Sequence, residues 1–558
     1  MRRYAILAVL ALAGAVCGAQ PLQWPVDHSR NPAMEVRDLP SELSEENLVW
    51  EFDVRGGSQF AMPVIAGDRL LLGSTQRSLL HDELARLNRE QSGGALICLD
   101  RLTGDLEWEL LAPGLGSIGS YGMYGICNTP LVESNRAYFV DPLGNLLCLD
   151  MNGQADGNDG PFTDELAYMA NTGCHILKDR VLEDPPPAEM KSKYGDIIWR
   201  FEFLERFQLA WKHAFSGTMI IDGDLIYLPT SNSQTVLVKH EGKAVNIGYS
   251  RRGTPDGHAG GKERPNILVL DKNTGRLVAH DTAYVRRVDH GQWGTPSMGV
   301  VNGEKVLLFG DGWGIVHAFR ALEPEDVRQD QVVELEEVWS FDCVPPENRA
   351  GGHGKLEYTH RHGRGDAPTS EEPMMANIMA APCVADGRIY IAISRDHNYG
   401  ISPGALWCLE PKGEGQLGKE SVVWSSRDVQ TGMATPAVAD GLCYYNDSLG
   451  QLHCFDAATG EKLWQHRFPA GTYYCDPFVA DGKVYLGSDR GHAVLEHGHT
   501  KKVLWEGRLS GAEPRTPVAV DGLLYVPTNR RLYLFARPEW QKAHPNLMNQ
   551  GEIEALSQ

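Results

Sequence analysis

Thr435-Pro436-Ala437-Val438-Ala439-Asp440-Gly441 opens a run that continues through Leu452-His453-Cys454-Phe455-Asp456-Ala457-Ala458-Thr459-Gly460 to Leu463-Trp464. It reads as a Pro, a short apolar strand, a tight Asp-Gly corner, two more strands with an Asp-opened turn after the second, and a Trp. The same order returns at Asp476-Pro477, Asp481-Gly482, Val494-Leu495 and Trp505, and again at Thr516-Pro517, Asp521-Gly522 and Tyr533-Leu534-Phe535. The Pro-to-Pro intervals are 41 and 40 residues. Self-similarity at that length, with four strand-like runs per unit, is the mark of propeller blades, because one such sheet cannot bury both of its faces alone.

Upstream, the anchor Pro recurs at Pro63, Pro130, Pro296 and Pro382, and the copy beginning Gly217-Thr218-Met219 replaces it with Met. That makes eight units. Asp222-Gly223, Asn302-Gly303 and Asp386-Gly387 join the later Asp-Gly pairs as hairpin corners. Trp108, Trp199, Trp339, Trp424, Trp464 and Trp505 mark the fourth strand, the third unit has Leu277-Val278-Ala279 there, and the eighth unit has no fourth strand after Phe535. The missing strand is found at the other end of the chain, as Leu48-Val49-Trp50-Glu51-Phe52-Asp53. The predicted fold is therefore all-β: an eight-bladed β-propeller of four-stranded antiparallel blades, with the ring closed by an N-terminal strand so that no sheet edge is left open. The predicted organisation is a signal peptide over 1–19, a lead segment over 20–47, the propeller over 48–537 and a tail over 538–558.

Arg2 and Arg3 precede an apolar run from Ala5 to Val16 and then Cys17-Gly18-Ala19-Gln20, which fits a secretory signal cleaved after Ala19. Val16 before Cys17 argues against a lipid anchor, since that position is normally small. The expected location is periplasmic or secreted, with membrane contact peripheral at most. Without Arg2 and Arg3 the chain holds 50 basic and 73 acidic residues, a formal charge of −23. Phosphate contacts demand a positive face, so nucleic acid is not an expected partner. Of the ten Cys remaining, Cys98, Cys148, Cys408 and Cys454 hold one strand position in four different units, where other copies place Val269, Ala318, Val494 and Leu534. They read as small core residues rather than cross-links.

The unit Leu-x-Cys/Ala-Leu-Asp-x-x-Thr-Gly-x-x-x-Trp resembles the repeat of the pyrroloquinoline quinone (PQQ) dehydrogenase-like propellers, which include the assembly lipoprotein BamB. The resemblance covers about residues 48–537. Cys148-Leu149-Asp150, Asn158-Asp159-Gly160-Pro161-Phe162, Asp196-Ile197-Ile198-Trp199-Arg200-Phe201 and Leu406-Trp407-Cys408-Leu409 are similar to strings of a secreted bacterial subgroup. The resemblance implies either a binding scaffold, as BamB does, or a quinoprotein dehydrogenase in which Ca²⁺ polarises PQQ. The Cys-Cys pair that the methanol and ethanol dehydrogenases of the family set against the quinone ring is missing here.

Departures from the repeat carry the candidate sites. In an up-and-down blade the second-to-third and blade-to-blade connections open on one face. Insertions at 77–94, 113–127, 203–215, 231–265, 343–379 and 394–404 fall in that class and build a rim around the channel mouth, whereas 152–197 and 321–337 extend the other face. Leu79, Leu80, Leu84 and Leu87 predict a short amphipathic helix in the first insertion. The basic stretch 239–264 suits an anionic ligand or a solvated loop.

His360 and His362 with Asp366 offer a His-x-His pair and a carboxylate for Zn or Cu, against the simpler account of a Gly-rich loop. Asp396, His397 and Asn398 lie in another rim connection and offer a base or hydrogen-bond donors. His290, Trp293, Asp311 and Trp313 fall near the start of the fourth unit. There an indole can stack on a planar cofactor and Asp311 can ligate Ca²⁺, or the Trp side chains can pack one blade on the next.

Two functional classes follow: a binding module presenting its rim to a protein, glycan or cell-envelope partner, and a PQQ- and Ca²⁺-dependent oxidoreductase acting on an alcohol or sugar. The ring-closure reading makes its own demand. Deleting residues 20–54 is expected to yield an aggregating, poorly folded product in size-exclusion chromatography; a soluble product with unchanged melting refutes the closure.

Overall fold

The computed structural model describes residues 27–54, 61–75, 78–90, 93–114, 125–170, 184, 186–207, 215–232, 237–240, 243–246, 264–283, 292–345, 377–394, 404–430, 432–468, 475–488, 491–511 and 515–547. Eight antiparallel four-stranded blades form one propeller. Blade 6, for example, runs Ala437–Ala439, Leu442–Asn446, Gln451–Asp456 and Lys462–Arg467 from the axis outward. Blade 8 takes Val518–Val520, Leu523–Pro527 and Arg531–Ala536 from the end of the chain and Leu48–Asp53 from its start. Trp50 lies opposite Leu534, so the closure expected from the sequence is present.

The corners follow the turn chemistry. Asn302, Asp386, Asp440, Asp481 and Asp521 take φ between 47° and 54°, and the Gly after each is also at positive φ, as a two-residue hairpin of matching twist requires. Blade 3 departs from expectation by one residue. Its strand runs through Asp222, and the corner residues are Gly223-Asp224, as Gly67-Asp68 are in blade 1. Only the Gly of each of these pairs is at positive φ, so the first corner position carries the unusual backbone there.

What joins the blades is an indole. Every outermost strand shows a register shift against its neighbour, just before the Trp in the seven blades that have one. Such a bulge bends the strand, re-aims a side chain and blunts the open edge. The re-aimed Nε1 donates to a carbonyl of the next blade: Trp50 to Leu102 at 2.9 Å, Trp108 to Met151 at 2.9 Å, Trp199 to Lys272 at 3.2 Å, Trp424 to Ala457 at 2.9 Å and Trp464 to Gly498 at 3.0 Å.

Across the sheet, Cys98, Cys148, Cys408 and Cys454 sit directly opposite Trp108, Trp199, Trp424 and Trp464. All four are buried free thiols, as their repeat position implied. Blade 8 has no third-to-fourth turn to receive Trp505. Instead Leu39 and Leu43 of the lead segment are buried in that slot, in the cluster against which Trp505 packs.

The long connections on the other face cover outer edges. Val333–Glu334 runs parallel to the outermost strand of blade 3, Gly415–Gln416 beside that of blade 4, and Tyr194 bridges to Glu109 on blade 1. The expected rim helix spans Asp82–Glu90, with Leu84 and Leu87 buried and Leu79 and Leu80 packed on the same core. It is fixed by Glu109, fully buried, which accepts from the Ser78 hydroxyl and from Leu79 N at 2.7 Å. Burial pushes the Glu109 carboxyl up to about 7.

Gly460 shows how tight the indole joint is. At φ +75° a Cβ on it would meet the Trp424 ring at 2.6 Å, whereas Gly441, at φ +76°, has nothing within 4 Å. Gly441→Ala is expected to lose about 1–2 kcal/mol, the left-handed backbone term alone. Gly460→Ala adds an overpacking loss of about 1–3 kcal/mol. Urea unfolding of both variants checks this; equal losses would remove the steric role of the turn.

Candidate functional site

The axis of the ring is not an open tube. Residues 28–34 run through it against the innermost strands of four consecutive blades. Met298 N of blade 4 donates to the His28 carbonyl at 2.6 Å and Val384 N of blade 5 to the Ser29 carbonyl at 2.8 Å. Asn31 exchanges two side-chain amide bonds with Val438 of blade 6, at 2.7 and 2.8 Å. Val479 N of blade 7 donates to the Pro32 carbonyl at 2.9 Å, and Ala33–Met34 then pairs in parallel with Val479–Ala480.

Arg30, at φ 58° and 2% exposed, sends Nε to the Pro296 carbonyl at 2.9 Å and Nη2 to the Met219 carbonyl at 2.6 Å. Burial lowers its guanidinium to about 9, since desolvation disfavours the charged form. Nothing in the repeat pointed to this segment, because it lies outside the repeat.

Where the innermost strands begin, a belt of hydrogen bonds runs from blade to blade. Thr435 N donates to the Asp476 carboxylate, Asp476 N to Thr516 Oγ1 at 2.8 Å, and Thr516 Oγ1 back to Asp476 Oδ2 at 3.0 Å. Met62 N reaches Thr129 Oγ1 at 3.0 Å and Thr218 N reaches Thr295 Oγ1 at 3.1 Å. This belt was legible: the residue before the anchor is Thr or Asp in six of the eight units. Burial pushes the Asp476 carboxyl up to about 7.

The rim corners between second and third strands reuse one Asp. In Asp141, Asp311 and Asp447, Oδ1 accepts from the amides two and four residues on, at 2.8–3.1 Å. The other oxygen faces Tyr168 Oη at 2.8 Å, His317 Nε2 at 3.1 Å and His453 Nε2 at 2.9 Å respectively. His317 Nδ1 meets Glu337 Oε1 at 2.6 Å. Burial opposes protonation of this imidazole, yet the bonds to Asp311 and Glu337 outweigh it and raise His317 to about 10.

The candidates around blade 4 are thus partly brought together. Gln292 Oε1 accepts from Gly312 N at 3.0 Å and its Nε2 donates to Asn266 Oδ1 at 3.1 Å. Asn266 in turn binds Asp281, whose Oδ1 holds Ile267 N at 2.7 Å. Trp293 and Trp313, both half-buried, flank this junction of blades 3 and 4. His290, Asp396, His397, Asn398, His360, His362 and Asp366 lie outside the described residues. Among the described residues no group of three His, Cys, Asp or Glu side chains is placed to hold a metal ion.

A PQQ ring with Ca²⁺ would need free carboxylate oxygens and an open axis. Asp311 spends one oxygen on its turn and the other on His317, and the channel beside blades 4 to 7 is filled by the chain itself. The described residues do not form a fitting set for that pair.

Residues 416–537 match the family model of the outer membrane protein assembly factor BamB. Among solved structures, BamB from Moraxella catarrhalis superposes with a TM-score of 0.50 at 14% identity, covering 88% of this chain and 99% of that one. A europium-containing methanol dehydrogenase aligns with a TM-score of 0.44 at 12% identity, over 93% of this chain and 98% of that one. The 1-butanol dehydrogenase (cytochrome c) of Thauera butanivorans is 32% identical over 130 residues, which is 20% of this chain and 18% of that protein's length. Likeness to the solved structures at such identities is likeness of fold. Among the described residues no helix is long and apolar enough to cross a membrane.

The titration of the rim corner has a sign. A His raised to about 10 from 6.5 adds stability that is complete below about 6.5 and is lost as pH rises through 10. Asp476, raised to about 7 from 3.8, acts in the same direction at lower pH. Denaturant midpoints of the protein are therefore expected to fall as pH rises from 6.5 towards 10, and His317→Gln to flatten that fall. An unchanged slope in the variant would show that His317 is not its source.

Proposed function

We propose that this chain is a non-catalytic binding module working outside the cytoplasm, in the periplasm or secreted after removal of residues 1–19. Its partner is a protein, glycan or cell-envelope component met at the rim built from the second-to-third and blade-to-blade connections. The observation that carries this reading is the occupied axis: seven residues of the lead segment fill the channel beside blades 4 to 7 and bury an arginine there. The match of residues 416–537 to an assembly factor model supports it. So does the rim itself, where each corner Asp described above is consumed in holding its own turn. In this proposal 48–537 is the propeller, 20–47 its integral lead segment and 538–558 a tail.

The second reading, a PQQ- and Ca²⁺-dependent alcohol or sugar dehydrogenase, is favoured by one observation, the 130-residue match to a butanol dehydrogenase. Under it His290, Trp293, Asp311, Trp313, Asp396, His397 and Asn398 would line the cofactor, and His360, His362 and Asp366 a metal. The two readings separate in one experiment. The purified protein, mixed with PQQ and Ca²⁺ and offered a panel of alcohols with a dye acceptor, is expected to show neither saturable quinone absorbance nor dye reduction; turnover overturns the binding reading.

A further inference from the structure

The joint between blades 3 and 4 lacks the indole. Ala279 stands opposite Val269, where Trp108 stands opposite Cys98 in blade 1, and the Asp-x-x-Thr-Gly turn that would receive an indole is replaced in blade 4 by residues 321–337. Val333–Glu334 of that connection pairs with the outermost strand of blade 3 and sets Val333 beside Ala279. The four residues before it, 329–332, line a cavity of about 310 Å³ together with Phe201 of blade 2 and residues 275–277 of blade 3. Its walls come from the outermost strands, so it lies on the circumference of the disc and not at the axis.

Two arginines line this cavity, and both are held in place without being neutralised. Arg276 Nη1 donates to the Arg328 carbonyl at 3.1 Å and to the Gln329 carbonyl at 3.3 Å, which leaves Nε and Nη2 to present the edge that takes a carboxylate side-on. Arg206 lies over two rings, its Cζ 5.5 Å from the centre of Phe201 and 5.7 Å from that of Phe207. Among the described residues neither guanidinium has a carboxylate partner, although the chain holds 73 acidic residues and Arg200, Arg320 and Arg531 each have one. Asp330 lines the same cavity and pairs with neither. Arg206, Gln329, Asp330 and Gln331 are exposed and Arg276 is half-buried, so the polar groups of the wall are open to solvent.

We propose that this cavity binds a sugar acid, a single polyhydroxy carboxylate ring of the uronate class. The carboxylate takes the open edge of Arg276 with Arg206 beside it, and because both groups are already fixed, little ordering is left to oppose binding. Gln329, Asp330 and Gln331 match the hydroxyl groups, their oxygens accepting and the amide NH₂ groups donating; a plain fatty carboxylate leaves all three unused. Val332, 42% exposed, supplies apolar surface for the C–H face of the ring. The volume lies near the lower end of the roughly 300–1,000 Å³ common for ligand pockets, which suits one ring rather than a chain of them. The site adds a small ligand to the partner proposed above and stands whether or not that partner exists.

Glucuronate and galacturonate, each titrated into the full protein by calorimetry at low ionic strength, are expected to bind saturably with a Kd of about 1 mM or tighter and to slow amide hydrogen exchange at 329–332. Added salt is expected to weaken the binding, as it does any charged contact open to solvent. Arg206→Gln, a change at an exposed side chain, is expected to weaken both sugar acids roughly tenfold.

Galactose and hexanoate separate the two halves of the claim. Galactose binding as tightly as galacturonate removes the arginines from recognition, hexanoate binding as tightly removes the hydroxyl partners, and either result overturns the proposal. So does the absence of saturation on that scale, full-strength binding by Arg206→Gln, or protection that appears elsewhere and not at 329–332. Should Arg206→Gln fail to fold, galactose against galacturonate on the unaltered protein reads the same charge. Quinone turnover removes the rim reading and leaves this site untouched, whereas failure of the sugar acids to bind leaves the rim reading standing.

Discussion

The ring is held by one repeated contact, the indole of an outermost strand donating across the blade boundary to the turn of the next blade. Each blade is a thin sheet with two apolar faces, stable only while both are covered. The bulge before the Trp turns the ring out of the sheet, the bond to the neighbouring carbonyl fixes its angle, and Gly153, Gly275 and Gly460 leave the room it needs. Closure is the limiting case of the same contact. Trp50 arrives from the far end of the chain to lock blade 8 onto Leu102 of blade 1, which converts a row of sheets into a disc without ends.

The closing strand has a consequence for the axis. A chain that must begin on the outside of blade 8 has a lead segment to place, and here the segment passes through the channel before reaching its blade. On the way it satisfies inner-strand donors, supplies Leu39 and Leu43 where blade 8 lacks a turn, and buries Arg30 against two backbone carbonyls. Strand, plug and spacer are consecutive parts of one stretch, so the channel's contents and the closure of the ring are coupled. A cofactor at the axis would have to share it with that stretch.

Polar groups near the axis do structural duty in a regular way. The Thr and Asp residues before the anchors tie blade to blade, and the corner Asp residues tie each turn to itself and then to a His or Tyr. Buried groups so engaged are shifted far from their usual titration, as His317, Asp476 and Glu109 are, and such shifts alone do not single out a reacting group. Of the blade 4 candidates His290, Trp293, Asp311 and Trp313, Asp311 is bonded to His317, and Gln292, next to Trp293, accepts from Gly312 N.

The repeat was enough to reveal blade number, strand order, hairpin corners, the place of the buried Cys and the origin of the last strand. Each of these is written locally, in a period of about forty residues and in residues whose turn or strand preference is intrinsic. It also contained the Thr/Asp belt, visible as one more column of the repeat. Only the folded ring decided that Trp50, Trp108, Trp199, Trp424 and Trp464 reach carbonyls 33 to 73 residues away, that the blade 3 corner is Gly223-Asp224, and that residues 28–34 lie in the channel. The Trp bonds and the channel segment are contacts between stretches far apart along the chain. Their partners are chosen by the geometry of the closed disc, which no single stretch of sequence encodes.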